Sequence, residues 1–391
     1  MTATARSRLG VIFFTVLIDL IGFGIVLPIL PMYAQRFGAQ GIGYGALVFV
    51  FSAMQFLATG LLGRLSDRVG RRPILLTTMV LNAAGYVLFA FAPSYAALFV
   101  ARVISGLASG NISAAQAYAA DITPPAERAR GMGTIGAAFG IGFVVGPLLG
   151  GLADHYLGHL APGLIAAGLS VINFCSASLV LRESLAPEHR TTRPLLDFGH
   201  LGDALARKQL RPLMLVWLLA PFAFAGYTVA LPLHMTKTFG WGAKELGWLF
   251  VVIGVIAAVV QGLVFGRLER RVGARTLLVV GLFGMAVSIA AVPYATSSFL
   301  VYAWTVPLAF ANSLFAPAAS GLVSVYADPT EQGTILGAAQ AFAALGRSLG
   351  PLAAGWAYDG LGQRPAFLLA GSVMLLGVLV SLELPGEKQP A

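Results

Sequence analysis

Twelve windows of roughly 20 apolar residues, most of them joined by short connections, are the strongest constraint on this 391-residue chain. In lipid every backbone N–H and C=O must be satisfied internally, so windows of that length read as membrane-spanning helices. They fall near 9–31, 43–65, 73–92, 95–120, 130–153, 161–182, 212–235, 245–267, 275–293, 298–326, 332–357 and 365–383. The long exception is ESLAPEHRTTRPLLDFGHLGDALARKQLR at 183–211, the most polar stretch. The expected architecture is all-α and integral to the membrane: a six-helix bundle over 1–183, a linker over 184–211 and a second bundle over 212–391.

Composition closes off the alternatives. Charged residues are only 10% of the chain against 58% hydrophobic, where soluble domains carry about a quarter charged residues. The single cysteine, Cys175, lies in an apolar run and excludes a disulfide framework or a thiolate metal site within one chain. The first apolar run is long enough to span, and no small-residue cleavage site closes it, so it reads as a retained helix.

Lys and Arg positions orient the bundle. With both termini cytoplasmic, 19 of the 25 basic residues fall in cytoplasmic segments. Arg36, Lys237, Lys244 and Arg364 fall outside, and Arg102 and Arg347 lie within spans. That is the positive-inside pattern, so the net charge of +9 reflects topology and offers no ground for nucleic-acid binding.

The two halves repeat. GRLSDRVGRR at 63–72 returns as GRLERRVGAR at 266–275, and GPLLGGLAD at 146–154 returns more loosely as GPLAAGWAY at 350–358. Two matches at nearly one offset indicate a duplicated six-helix unit, with a binding cavity between the halves and alternating access by rocking. In the first motif Gly63 permits close helix packing and Gly70 a tight turn. Asp67 can serve the positive N-terminus of a neighbouring helix. Asp121, with Arg71, Arg72 and Arg128 and beside Arg68, can complete a charge cluster. Arg270 stands where the first copy has Asp67, so this device is expected in one half only.

Three charges remain inside spans. Asp19 is the only deep acid, and an ionised carboxylate in hydrocarbon costs several kcal/mol or more. A carboxyl that is charged only when water reaches it can carry a proton; the alternative is a packing acid. Arg102 can meet backbone carbonyls or an acid. Arg347 can counter Asp19, bind an anionic substrate, or neutralise a carboxylate in one state. Gln55, Asn111, Gln261, Asn312 and Gln340 are amides within spans, and Phe139, Tyr227 and Phe315 are aromatics there. These are the candidate cavity residues, each of which can equally serve helix packing.

Gly63-x-Leu65-x-Asp67-Arg68-x-Gly70-Arg71-Arg72-x-x-Leu75 resembles the loop signature between helices 2 and 3 of the major facilitator superfamily. Gly142-x-x-x-Gly146-Pro147-x-x-Gly150-Gly151 is similar to the helix-5 motif of its drug/proton antiporters. Leu98-x-x-x-Arg102-x-x-x-Gly106-x-x-x-Gly110 resembles the helix-4 motif. Asp19 to Pro31 resembles the helix-1 pattern of tetracycline and multidrug exporters. The resemblance implies that Asp67 faces helix 11, which starts near Glu331, as a cytoplasmic latch. It implies that the helix-5 glycines and Pro147 form a tight outer seal, and that Asp19 couples protons.

Bacterial tetracycline/proton antiporters are the nearest resemblance, through FGWGAKELG at 239–247 and VVQGLVFGRL at 259–268. Yet Gly85, Ala257 and Met285 stand where those proteins carry an acid, a histidine and an acid. The expected function is therefore proton-coupled efflux of small, largely apolar molecules by a monomer in the cytoplasmic membrane, with substrate, protons and lipid as its partners. The alternatives are an importer or facilitator of a sugar or organic anion, or a lysolipid translocator. No cofactor is implied: there is no Walker A sequence, and the Gly131-x-Gly133-x-x-Gly136 match lies on a membrane helix instead of a strand–turn–helix unit. Asp154, His155 and His159 form only a weak metal pattern. No nucleophile, base and orienting group make an enzyme's set.

Overall fold

The computed structural model describes residues 3–123, 128–185, 188, 205–328 and 331–385; the side chains of 3–8 and 128–134 are not among those described. Every regular element among these residues is helical. In the first half α1 is Ala3–Val26, α2 Leu30–Arg36, α3 Gly41–Val69, α4 Arg71–Ala90, α5 Tyr95–Ala108, α6 Ile112–Ile122, α7 Arg128–Leu157 and α8 Leu160–Val180. In the second, α9 is Arg211–Phe239, α10 Ala243–Val259, α11 Phe265–Val272, α12 Ala274–Ala291, α13 Ser298–Tyr326, α14 Gln332–Gly360 and α15 Gln363–Leu382. Most of the expected linker, 186–187 and 189–204, lies outside the described residues.

Eleven spans among the described residues are long and apolar enough to cross a membrane. The twelfth long helix, α14, has 29 residues. It is diluted by Gln340, Arg347, Ser348 and its glycines and stays outside that set.

Three spans are broken where the sequence reads as continuous. The first divides into α1 and α2 around Leu27–Ile29, because Pro28 has no N–H to continue the ladder. The fourth tightens to a 3₁₀ turn at Ser109–Asn111, and the eighth carries a π turn at Val260–Val264. Such turns interrupt the regular ladder and often mark functional positions.

The repeat is legible in the backbone. Gly70 and Gly273, equivalent glycines, both take positive φ (116° and 80°) at the turn into the next span. Arg72 donates to the Ser178 carbonyl at 2.9 Å, and its counterpart Arg275 donates to the Leu382 carbonyl at 2.8 Å. Ser94 and Ser297 each cap a helix, accepting from Ala97 N–H and Leu300 N–H.

Two compact units result. The first comprises Met1–Gly38, Val50–Leu196 and Gly242–Val251; the second comprises Ala39–Phe49, Asp197–Trp241 and Val252–Ala391. The opening turns of α3 thus pack with the second unit and those of α10 with the first. One core in the first unit is built on Ile12, Val16, Leu75, Met79, Tyr118 and Leu181. In the second, Trp217 meets Phe315 edge-on at 5.2 Å, and Tyr227 meets Phe367 at 6.0 Å.

Candidate functional site

Inside the first unit, polar groups from α1, α4 and the 3₁₀ turn after α5 gather around Asp19. Asn111 Nδ2 donates to Asp19 Oδ2 at 2.7 Å and to Thr78 Oγ at 3.2 Å. The 3₁₀ turn ends on Asn111, so the break in the fourth span sets its place beside Asp19. Asp19 Oδ1 is buried and has no hydrogen-bond partner among the described residues. Both side-chain atoms of Asn82, a residue 1% exposed, are in the same condition. A permanent buried anion requires several donors; among the described residues this carboxyl has one in good hydrogen-bond geometry, Asn111, with the Asn82 amide the other polar group beside it.

Arg102 is 4% exposed, and its guanidinium lies 4.1 Å from the centre of the Phe51 ring. Phe51 stacks on Phe23 at 5.1 Å, and Phe23 meets Phe143 edge-on. The cation is therefore embedded in an aromatic stack, where cation–π attraction strengthens as water is excluded. Gly106 and Gly110, one and two turns on, let α5 and its extension lie directly against Phe51 and Ala58 of α3.

The helix-5 motif packs on the helix that carries Asp19. A Cβ on Gly146 would stand 2.7 Å from both Gly24 Cα and the Ile21 carbonyl oxygen, and one on Gly142 2.5 Å from Leu20 Cβ. A Cβ on Gly150 would collide with the Ile25 carbonyl, and one on Gly151 would lie 2.5 Å from the Ala243 carbonyl at the start of α10. Only glycine permits this seam along one face of α7, with Pro147 wedged at Gly24.

The 63–72 motif forms a network at one end of the first unit. Arg71 pairs with Asp67, takes Ser66 Oγ at 2.6 Å and reaches Asp121 Oδ2 at 3.3 Å. Asp67 is paired within its own unit with Arg71, one turn along. Glu183, just past α8, accepts from the backbone N–H groups of Arg71 and Arg72 at 2.8 and 3.2 Å, capping α4. Gly70 is required there, because a Cβ would strike the Glu183 carboxylate. Ser184 Oγ closes the ring on Asp121 at 2.9 Å. Arg128 begins α7, but its side chain lies outside the described residues. Nothing local in the sequence marks Glu183, whose partners lie 111 and 112 residues away, or Ser184, whose partner lies 63 residues away; Ser66 is near Arg71 in sequence but carries no motif that announces the bond.

The remaining candidates are dispersed. Gln55 Nε2 reaches the Ser109 carbonyl at 3.5 Å. Phe139 packs against the first unit's core, and Tyr227 is fully buried in the second, its hydroxyl without a partner among the described residues. Gln261 is exposed within the π turn, Asn312 is half-buried, Phe315 is buried, and Gln340 is exposed. Arg347, midway along α14, is exposed and has no hydrogen bond or ion pair among the described residues. Asp154 bonds His159 Nδ1 at 2.6 Å, and among the described residues no group of three or more metal-ligating side chains assembles there or elsewhere.

Long apolar helices in two repeated sets, with a carboxyl and an arginine held deep in the spans, define a membrane transport protein. The chain belongs to the Major Facilitator Superfamily, whose family model matches residues 12–268 and 213–391. It is 30% identical to Major facilitator superfamily domain-containing protein 10 of Bos taurus, over 94% of this chain and 90% of that protein. It is also 30% identical to the class C tetracycline resistance protein of Escherichia coli, over 89% of each. The crystal structure of the human organic anion transporter MFSD10 superposes with a TM-score of 0.72 at 27% identity, covering 97% of this chain and 100% of that one.

Proposed function

We propose that this protein is a proton-coupled exporter of small, largely apolar molecules, working by alternating access with Asp19 as its proton site. The observation that carries this reading is the half-satisfied carboxyl: among the described residues Asp19 Oδ2 accepts one hydrogen bond, from Asn111, and Oδ1 accepts none. A proton on Oδ1 removes the charge, and water reaching the site in another state removes the need for that proton. The bias of 19 of 25 basic residues supports a cytoplasmic location for the 63–72 motif and both termini. The helix-5 seam supports antiport, since a bundle sealed by backbone contact leaks little. The class C tetracycline resistance protein supports efflux. Gly85, Ala257 and Met285 speak against tetracycline itself as the substrate. The driving force suffices: one charge crossing 100 mV is worth about 2.3 kcal/mol, and each unit of pH difference adds about 1.4 kcal/mol.

The test is reconstitution in sealed vesicles with an imposed pH gradient and a lipophilic fluorescent dye that the protein exports from cells. Asp19→Asn is expected to abolish gradient-driven accumulation while dye counterflow, which needs no net proton movement, survives. Gradient-driven accumulation at the normal rate in that variant would refute the proton role.

A second reading, transport of organic anions, is favoured by one observation: Arg347 presents a cation midway along α14 with no partner among the described residues. The human organic anion transporter MFSD10 lends it weight. Arg347→Gln separates the two readings, because it should abolish anion flux but leave neutral dye export nearly intact.

A further inference from the structure

Within the second unit, the first turn of α3 meets the last turns of α14. Asp359 Oδ1 accepts from Gly41 N–H at 2.9 Å, and Oδ2 accepts from Ile42 N–H at 2.8 Å. Around this double cap the backbones touch. A Cβ on Gly41 would lie 2.5 Å from both Asp359 Oδ1 and the Gly355 carbonyl, and one on Gly45 would collide with the Pro351 carbonyl. As the α3 number rises the α14 number falls, so the two helices run antiparallel.

The placement of Asp359 is electrostatically odd on its own helix. It stands one residue from the end of α14, where the helix dipole disfavours an acid. The N-terminus of α3 supplies what its own helix does not: two free N–H donors and the positive end of a dipole. At the repeat-related joint no acid of the facing helix does this among the described residues; α10 is capped by its own Glu245, which accepts from Gly242 N–H at 2.8 Å. There α10 packs its start against α7, a Cβ on Gly247 would stand 2.7 Å from the Pro147 carbonyl, and Lys244 sits over Tyr156. At an offset of 204, His155 occupies the place of Asp359.

We propose that Asp359 is a clamp of the transport cycle, a positioning residue that holds α3 to α14 at this end and must let go each time this end opens. It has a counterpart at the other end of α3. Asp67 likewise sits in the last turn of its own helix, and in this structure, where Asp359 is engaged, Asp67 rests on Arg71. On this proposal the clamp at Asp359 and the charge of Asp67, at opposite ends of one helix, act in opposite phases of the cycle. This inference rests on alternating access alone; neither the proton nor the substrate enters it.

The experiment reads conformation instead of flux, so it stands whether or not the efflux reading does. Spin labels on cysteines replacing Gln40 and Leu361, in a Cys175→Ser background reconstituted in nanodiscs, report the separation at this end. Asp359→Asn should raise the ratio of long to short distances by about fivefold, the scale of losing a helix cap. Asp359→Glu should keep the wild-type distribution. Gly41→Ala, which pushes the carboxylate away, should shift the distribution in the same direction as Asp359→Asn. Asp67→Asn should oppose the shift and bring the double variant back toward wild type. An unchanged distribution in Asp359→Asn overturns the clamp, and so does a shift that Glu fails to rescue, because then packing and not the charge holds this end.

Discussion

The seam between α1 and α7 yields the most quantitative expectation. A methyl group on Gly146 would sit 2.7 Å from two atoms of α1, both of them backbone, where ordinary contact begins at 3.4 Å. Neither atom can rotate away, so the helices must part by about 0.7 Å or the backbone must deform, and overpacking of this kind costs about 1–3 kcal/mol. The same helix supplies its own control. Gly140 has nothing within 4 Å of a built Cβ, so Gly140→Ala adds only helix propensity, up to about 1 kcal/mol in its favour. Thermal melting of the purified variants in detergent should therefore rank Gly140→Ala at or above wild type and Gly146→Ala several degrees below it. Gly24→Ala, placing its methyl 2.8 Å from Pro147 Cδ and 2.9 Å from Gly146 Cα, should match Gly146→Ala. The double variant should lose less than the two singles combined, because both strain one contact. Efflux should follow the same order, with Gly146→Leu inactive. Equal melting of Gly146→Ala and Gly140→Ala would refute the backbone seam, and normal efflux by Gly146→Leu would deny it a role in transport.

Asp67→Asn should leave the protein folded and inserted but unbalance its cycle, with Asp67→Glu milder and Glu269→Gln in the second copy close to wild type. A normal transport rate in Asp67→Asn would remove the charge of Asp67 from the mechanism. At the start of α14, hydrogen bonds from Arg207, one of them 3.0 Å long, hold the Glu331 carboxyl below the usual range. A lowered folded pKa means that the pair's stabilisation is full above the unfolded carboxylate value of about 4.3 and is lost as pH falls through the folded one. The melting temperatures of wild type and Glu331→Gln should therefore differ near neutral pH and converge in acid; a difference that persists unchanged in acid would show that ionisation of Glu331 is irrelevant.

The number and lengths of the spans, the duplication and the one-sided placement of Asp67 were legible in the sequence, because each is a local property. Span length follows from bilayer thickness, the repeat from matching residues, and the missing second acid from Arg270. Asp19 stood out for the same reason, as a lone carboxyl in an apolar run. Its surroundings did not. Asn111 reaches it only because the fourth span tightens to a 3₁₀ turn there, and Asn82 and Thr78 join from another helix. The contact of Arg102 with Phe51 was not legible either, since only packing decides which ring meets a guanidinium. Glu183 and Asp359 read as loop and helix-end acids until the fold set them on the N-termini of α4 and α3. Backbone N–H groups carry no sequence signature, so a carboxylate that serves a distant helix end becomes visible only when tertiary structure brings that end within hydrogen-bond reach.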